Sequence, residues 1–178
     1  MLKIDYPNFE LNTFENLNFQ IDEPKTKINI RGKNKEFFTK IGKILSIILP
    51  VEPNTSTYND KLNALWLSPD EWMIYLNENI FNDLFNEISK LKLGSVTDVS
   101  DQWVCINISG NKVFHLLSAA SPFDFREFRN NKNSVTQTLL NHIDVTIHHK
   151  EINEINLFVR RSFSEHLVSW LNDSARFI

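Results

Sequence analysis

A single cysteine, Cys105, is all the thiol chemistry in 178 residues. Neither a disulfide framework nor a thiolate zinc site can be built from it within one chain, and a reducing compartment is expected. Glycine is nearly as scarce: Gly32, Gly42, Gly94 and Gly110 are scattered singly, which leaves no glycine-rich loop to cradle a phosphate. A basic excess is also missing. Lys and Arg number 19 against 22 Asp and Glu, a net charge of −3 with the signs interspersed, so nucleic acid is not an expected partner. The longest near-apolar run, residues 44–51, falls far short of the roughly 20 residues that span a bilayer. Residues 1–7 lack the apolar core of a signal peptide. These absences together give the expectation of a soluble, cytoplasmic protein with no membrane partner.

What the chain does have is apolar mass. It is 42% hydrophobic, with 14 Phe and 4 Trp, and a chain of this length buries about 70% of its unfolded surface. Disordered and collagen-like classes are excluded, and the length suits one domain. Residues 1–26 alternate weakly and end near Glu23-Pro24; they read as an extended N-terminal arm. From Lys27 to Arg31 the residues alternate with period two and stop at Gly32. Phe37, Phe38, Ile41, Ile44, Leu45 and Ile48 then recur at helical spacing. A polar loop of turn formers follows over 54–60, then a hairpin from Leu62–Leu67 and Trp72–Leu76 across Ser68-Pro69-Asp70-Glu71. A helix over about 79–92 carries Ile80, Leu84, Ile88 and Leu91 on its inner face and stops at Gly94.

The second half repeats the order. A strand spans 102–109, Gly110 turns the chain, and a helix over 111–120 buries Val113, Leu116, Leu117 and Ala120. Strands follow at 135–140, 142–148 and 155–159. Ser162, with Glu165 three residues on, has the spacing of a capping box for a closing helix whose stripe is Phe163, Leu167, Trp170 and Leu171. Ile28-Asn29-Ile30-Arg31-Gly32 answers Ile106-Asn107-Ile108-Ser109-Gly110. The expected fold is α+β, two βαββα-like halves (about 27–94 and 96–176) within one domain over 27–178, mainly antiparallel sheet with helices packed on it.

Chemistry-bearing residues are sparse. His142, Asp144, Thr146 and His148 share a strand face. The two imidazoles, six residues apart at about 3.3 Å each, sit roughly 20 Å from one another, too far for one ion. They are read as a solvated face, with His149 on the opposite side. Cys105, flanked by Val104 and Ile106, reads as a small buried hydrophobe. His115 and His166 read as packing or surface residues of helices. Asp98 and Asp101 flank Ser100 and suit side-chain-to-backbone turns better than paired acid–base work. Trp66 and Trp72 read as core. Arg160-Arg161 precede a helix, and Arg126 and Arg129 straddle Phe128. The loop after Pro122 carries Phe123, Phe125 and Phe128 within six residues, an aromatic load that marks Phe123, Phe125, Arg126 and Phe128 as an expected interface. No catalytic, cofactor-binding or metal site is expected on this chain.

The order of several short motifs resembles a known family. They are Ile30-Arg31-Gly32, Leu49-Pro50-Val51-Glu52-Pro53-Asn54-Thr55, Leu65-Trp66-Leu67-Ser68-Pro69-Asp70-Glu71-Trp72 and Val96-Thr97-Asp98-Val99-Ser100-Asp101-Gln102. After these come Ile108-Ser109-Gly110, Gln137-Thr138, and Arg161-Ser162-Phe163 followed by Trp170-Leu171. The set resembles the gamma subunit of heterotetrameric sarcosine oxidase over about residues 28–173, with a serine at Ser68 where the family leads one to expect glycine. The resemblance implies a fold related to the folate-binding domains of the glycine-cleavage T protein. It also implies partners: an alpha subunit, which is the main contact, and beta and delta subunits. Those subunits would hold FAD, FMN, NAD, zinc and tetrahydrofolate. The implied complex oxidises sarcosine with O2 and tetrahydrofolate to glycine, methylenetetrahydrofolate and H2O2, and this chain's part is non-catalytic. The alternative is a free-standing folate-binding or aminomethyltransferase-like protein.

Overall fold

The structure is a computed structural model that describes residues 9–23, 25–76 and 81–178. Its contacts divide the chain into two compact units, one Lys25–Ser100 and the other Asp101–Ile178 together with residues 9–23 of the N-terminal segment. The second is discontinuous in sequence.

In the unit Lys25–Ser100, two Ile at alternate positions make β2 (Lys27–Arg31) press Ile28 and Ile30 into the core. α1 (Lys35–Leu45) starts where the Asn34 side chain accepts from the Phe37 N–H at 2.7 Å and ends at Ser46 in the left-handed region. Its buried residues Phe37, Ile41 and Leu45 recur at helical spacing against β2. β3 (Ser56–Tyr58), β4 (Leu62–Ser68) and β5 (Glu71–Leu76) follow, then α2 (Phe81–Lys90) and β6 (Ser95–Asp98). Leu84 and Ile88 of α2 join the core, and Leu91 packs partly against it; Ile80 lies outside the described residues. All strands pair antiparallel in the order β3-β4-β5-β2-β6.

The other unit has the same plan. β7 (Trp103–Ser109), α3 (Val113–Ser118), the one-turn α4 (Phe125–Phe128), β8 (Val135–Leu140), β9 (Ile143–Glu151), β10 (Glu154–Arg160) and α5 (Arg161–Ala175) run in order. With β1 (Asn18–Ile21) at its edge, the sheet order β1-β7-β10-β9-β8, read from its far edge, repeats that of the other unit. Each half is therefore βαβββα with one added edge strand, β6 in the first and β1 in the second, and the first half has a strand before its hairpin that was not expected. There Ser56-Thr57-Tyr58 reads as loop in sequence and becomes strand only by pairing with β4.

Two local expectations are corrected. The N-terminal arm contains β1 (Asn18–Ile21), which pairs antiparallel with β7 and sends Leu17 and Phe19 into the core. The strand's partner is remote in sequence, so no local signal announces it. Ser162 does not cap α5. β10 runs directly into the helix, Arg160 occupies the cap position without a side-chain bond, and the Arg161 N–H donates instead to the Gln102 carbonyl at 2.9 Å. As a result Phe163 is 50% exposed rather than in the core stripe of Leu167 and Leu171. Gly110 meets a positional demand: at φ +128° a Cβ would lie 2.2 Å from the Asn16 carbonyl oxygen.

Each sheet is buried on both faces. In the unit that contains β7, Val104, Ile106, Ile108, Ile155, Leu157 and Val159 belong to the main core. The opposite face carries Cys105, Thr146, His148, Asn156 and Phe158, all buried.

Candidate functional site

The aromatic connection after α3 folds back on its own unit. The Asp124 carboxylate accepts the Arg126 N–H at 3.0 Å and so starts α4. It also takes the Arg126 guanidinium through Nε at 3.0 Å and Nη2 at 2.6 Å. The arginine side chain and then its backbone N–H hold the Asp124 carboxyl down at about 2. One helical turn places Phe125 and Phe128 on the inner side, where both are buried in the core. Their rings stand 5.8 Å apart edge to face, with Phe123 at 4.9 and 5.7 Å from them. The Phe load that suggested an interface is thus absorbed by the chain's own core, and only Arg126, 84% exposed in its side chain, faces outward.

Sequence reading misses the group against which these rings pack. His149 is buried, with its ring 5.4 Å from Phe114 edge-on and 5.6 Å from Phe128 stacked, and its Nδ1 lies 2.9 Å from the Asn131 carbonyl oxygen. The solvated-face reading of this strand is corrected at Thr146 and His148, which are buried, while Asp144 and His142 are exposed; His149, on the opposite side, is buried as well, because the sheet is covered on both faces. Desolvation, reinforced by His149 and Lys150, pushes the His148 imidazole down to about 3. His142 is not on the strand at all. Asn141 and His142, both at positive φ (49° and 65°), form the two-residue turn between β8 and β9.

The remaining candidates are not brought together. Cys105 is buried in β7. Asp98 is exposed and accepts from the Ser100 N–H at 2.9 Å and hydroxyl at 2.6 Å. Asp101 pairs with Arg161, and the Arg160 guanidinium lies 5.2 Å from the Trp103 ring centroid. Asp144, His115, Arg129 and His166 are exposed. Among the described residues no group of three or more His, Cys, Asp or Glu is arranged to hold a metal ion, and no helix is long and apolar enough to cross a membrane.

The most developed constellation joins two of the quoted motifs. Trp72 is buried against Phe38 (5.3 Å, edge to face) and Phe37 (6.0 Å), and its Nε1–H donates to the Pro50 carbonyl at 2.8 Å. The Trp66 N–H donates to the Thr55 carbonyl at 3.0 Å. Residues 49–55 are therefore held by the hairpin of residues 65–72. At its turn the Ser68 hydroxyl donates to Asp70 at 3.0 Å, and no residue of the turn has a positive φ. A glycine is not needed there. Chiefly through Ser68, and then through Arg31 and Lys33, the Asp70 carboxyl sits below its ordinary value.

The model of the sarcosine oxidase, gamma subunit family matches residues 33–176. The chain belongs to this family. No curated protein matches it in sequence. Among solved structures it is similar to heterotetrameric sarcosine oxidase from Corynebacterium sp. U-96, in complex with pyrrole 2-carboxylate. That likeness has a TM-score of 0.84 at 21% identity and covers 94% of this chain and 87% of that one. It is also similar to the glycine cleavage system aminomethyltransferase T of Bartonella henselae, with a TM-score of 0.68 at 14% identity, covering 90% of this chain and 46% of that one. The gamma-subunit fold is thus shared with part of the aminomethyltransferase, as the resemblance in sequence implied. The motif pair 49–55 and 65–72 lies wholly within the matched span of the sarcosine oxidase gamma subunit family.

Proposed function

We propose that this chain serves as the gamma subunit of a heterotetrameric sarcosine oxidase, in a structural role exercised mainly through the alpha subunit. Family membership over residues 33–176 carries this reading. In the assembled enzyme, sarcosine, O2 and tetrahydrofolate become glycine, methylenetetrahydrofolate and H2O2, with FAD, FMN, NAD and zinc held by the alpha, beta and delta chains. The disposition of this chain's charged groups supports a structural part. Asp98, Asp101 and Asp124 are bound to Ser100, Arg161 and Arg126, and Asp98, Asp101 and Asp144 line neither the groove beside α1 nor the one beside Asn172. Orientation without enclosure gives a pterin little to bind.

The test is purification of the tagged chain from its own cells. The expected result is a flavin-coloured complex with three further chains that makes peroxide from sarcosine, while this chain alone is colourless and inactive. Peroxide formation or a flavin spectrum from this chain alone would overturn the reading, as would failure to retrieve any sarcosine-oxidising complex.

A further inference from the structure

We infer that a groove at the C-terminal end of α1 seats an apolar side chain of another subunit of the oxidase, one carried beside a carboxylate; the inference rests on the subunit reading above. The groove measures about 560 Å³ and is lined by Phe38, Thr39, Gly42, Ile47, Ile48 and Val51. One wall is the helix. Phe38, Gly42 and Ser46 fall at four-residue intervals and so share a row. At Gly42 a Cβ would stand 2.9 Å from the Ile47 carbonyl oxygen, so the absent side chain is what lets the outgoing loop lie against the helix. The other wall is that loop, residues 46–51.

The loop is fixed along its backbone. The Asn59 side-chain amide donates to the Leu45 and Ser46 carbonyls at 3.1 and 3.4 Å. The Thr57 hydroxyl donates to Ile48 at 2.7 Å, and the Trp72 indole to Pro50 at 2.8 Å. Leu49 enters the core and Ile47 packs partly against it, yet two other aliphatic side chains on this pinned backbone point outward: Ile48 is 84% exposed and Val51 66%. A loop so held cannot fold them away, and it meets a partner without first losing conformational freedom. Single exposed apolar residues such as Ile152 and Phe177 are ordinary. Two that border one apolar groove form a docking surface.

Charge selects the occupant. Lys35, Thr39 and Lys43 form the adjoining helical row, and Thr39 lines the groove, so the two lysines border it. Both are exposed and form no ion pair among the described residues, whereas Lys40 on the same helix is paired with Glu36 at 2.7 Å. Glu52 follows Val51, and the margin remains net positive on a chain of net charge −3. An apolar anchor flanked by Asp or Glu satisfies both the groove and its rim.

The experiment co-expresses this chain with the alpha, beta and delta chains of the same organism and measures incorporation and affinity. Three variants are compared with wild type: Ile48→Asp with Val51→Asp, Lys35→Glu with Lys43→Glu, and Ile152→Asp as a control. Each is checked by its melting curve. The groove variant is expected to bind at least about tenfold more weakly. The charge-reversal variant should lose affinity chiefly at low salt, and the control should match wild type. Wild-type affinity in the folded groove variant, or in the charge-reversal pair, overturns the inference while leaving the subunit reading intact. An isolated wild-type dimer that the groove variant turns into a monomer assigns the groove to a second copy and also overturns it. If wild type itself enters no complex, the subunit reading falls and this inference falls with it.

Discussion

The buried imidazole of His148 makes the stability of this protein dependent on mild acid. The residue is 1% exposed on β9, opposite Asn156 of β10 and Val135 of β8. Burial moves it from 6.5 in the unfolded chain to about 3 in the folded one. The folded state therefore keeps it neutral while the unfolded state takes up a proton, and stability falls as pH drops below 6.5, by up to about 1.4 kcal/mol per pH unit. Going from pH 7.5 to pH 5 costs about 2 kcal/mol from this group alone, given the folded value of about 3. In a chain of 178 residues that corresponds to roughly 4–8 °C in melting temperature. Urea titrations at a series of pH values between 7.5 and 5 measure this directly. His148→Asn removes the titrating group, so wild-type stability should fall by about 2 kcal/mol relative to the variant's over that range, whatever the variant's stability at neutral pH. Parallel profiles for the two proteins would refute the assignment of the acid sensitivity to this site.

Other perturbations have equally definite outcomes. Trp72→Phe leaves the Pro50 carbonyl without its donor and should cost about 1–3 kcal/mol in denaturant unfolding, accompanied by faster amide exchange in residues 46–51. Phe128→Ala should cost about 3–5 kcal/mol because it empties a core site, so alanine at this position would report on folding and not on an interface; Arg126→Ala should leave the melting temperature essentially unchanged. Gly110→Ala forces a side chain onto the Asn16 carbonyl at a φ of +128° and should destabilise by about 1–3 kcal/mol or more, read as a lowered urea midpoint. Calorimetry of the isolated chain with tetrahydrofolate should show no binding tighter than about millimolar, near −4 kcal/mol. Micromolar binding lost on replacing Asp98, Asp101 or Asp144 by alanine would favour the folate-binding alternative.

The parts of this fold that are legible in sequence are those whose cause is local. β2 can be read residue for residue because Ile28 and Ile30 alternate and Gly32 ends the run. The stripes Phe37, Ile41, Leu45 and Val113, Leu116, Leu117 show the helical period that their buried faces require. What cannot be read depends on distant partners. β1 exists because β7 offers it an edge, and β3 because β4 does. His148 looks like the polar face of an amphipathic strand, since sequence alternation tells which residues share a face and not whether that face is covered. Phe125 and Phe128 look stranded in a loop until Asp124 starts the single turn that returns them to the core. The groove beside α1 has a sequence trace only in Pro50 and Pro53; the bonds from Thr57, Asn59 and Trp72 that give the loop its shape come from other elements.

The pairing of Asn18 with Ser109 has consequences for the order in which the molecule can come into being. Everything needed for the unit Lys25–Ser100 is contiguous, so a chain emerging from the ribosome can complete that unit while its neighbour still lacks most of its strands. β1 emerges ahead of that unit and waits, its edge unpaired, until β7 has been synthesised. During that interval Leu17 and Phe19 have no core to enter. A strand made before the unit Lys25–Ser100 is thus secured only after it, and chaperone capture or misassembly during synthesis should concentrate on β1.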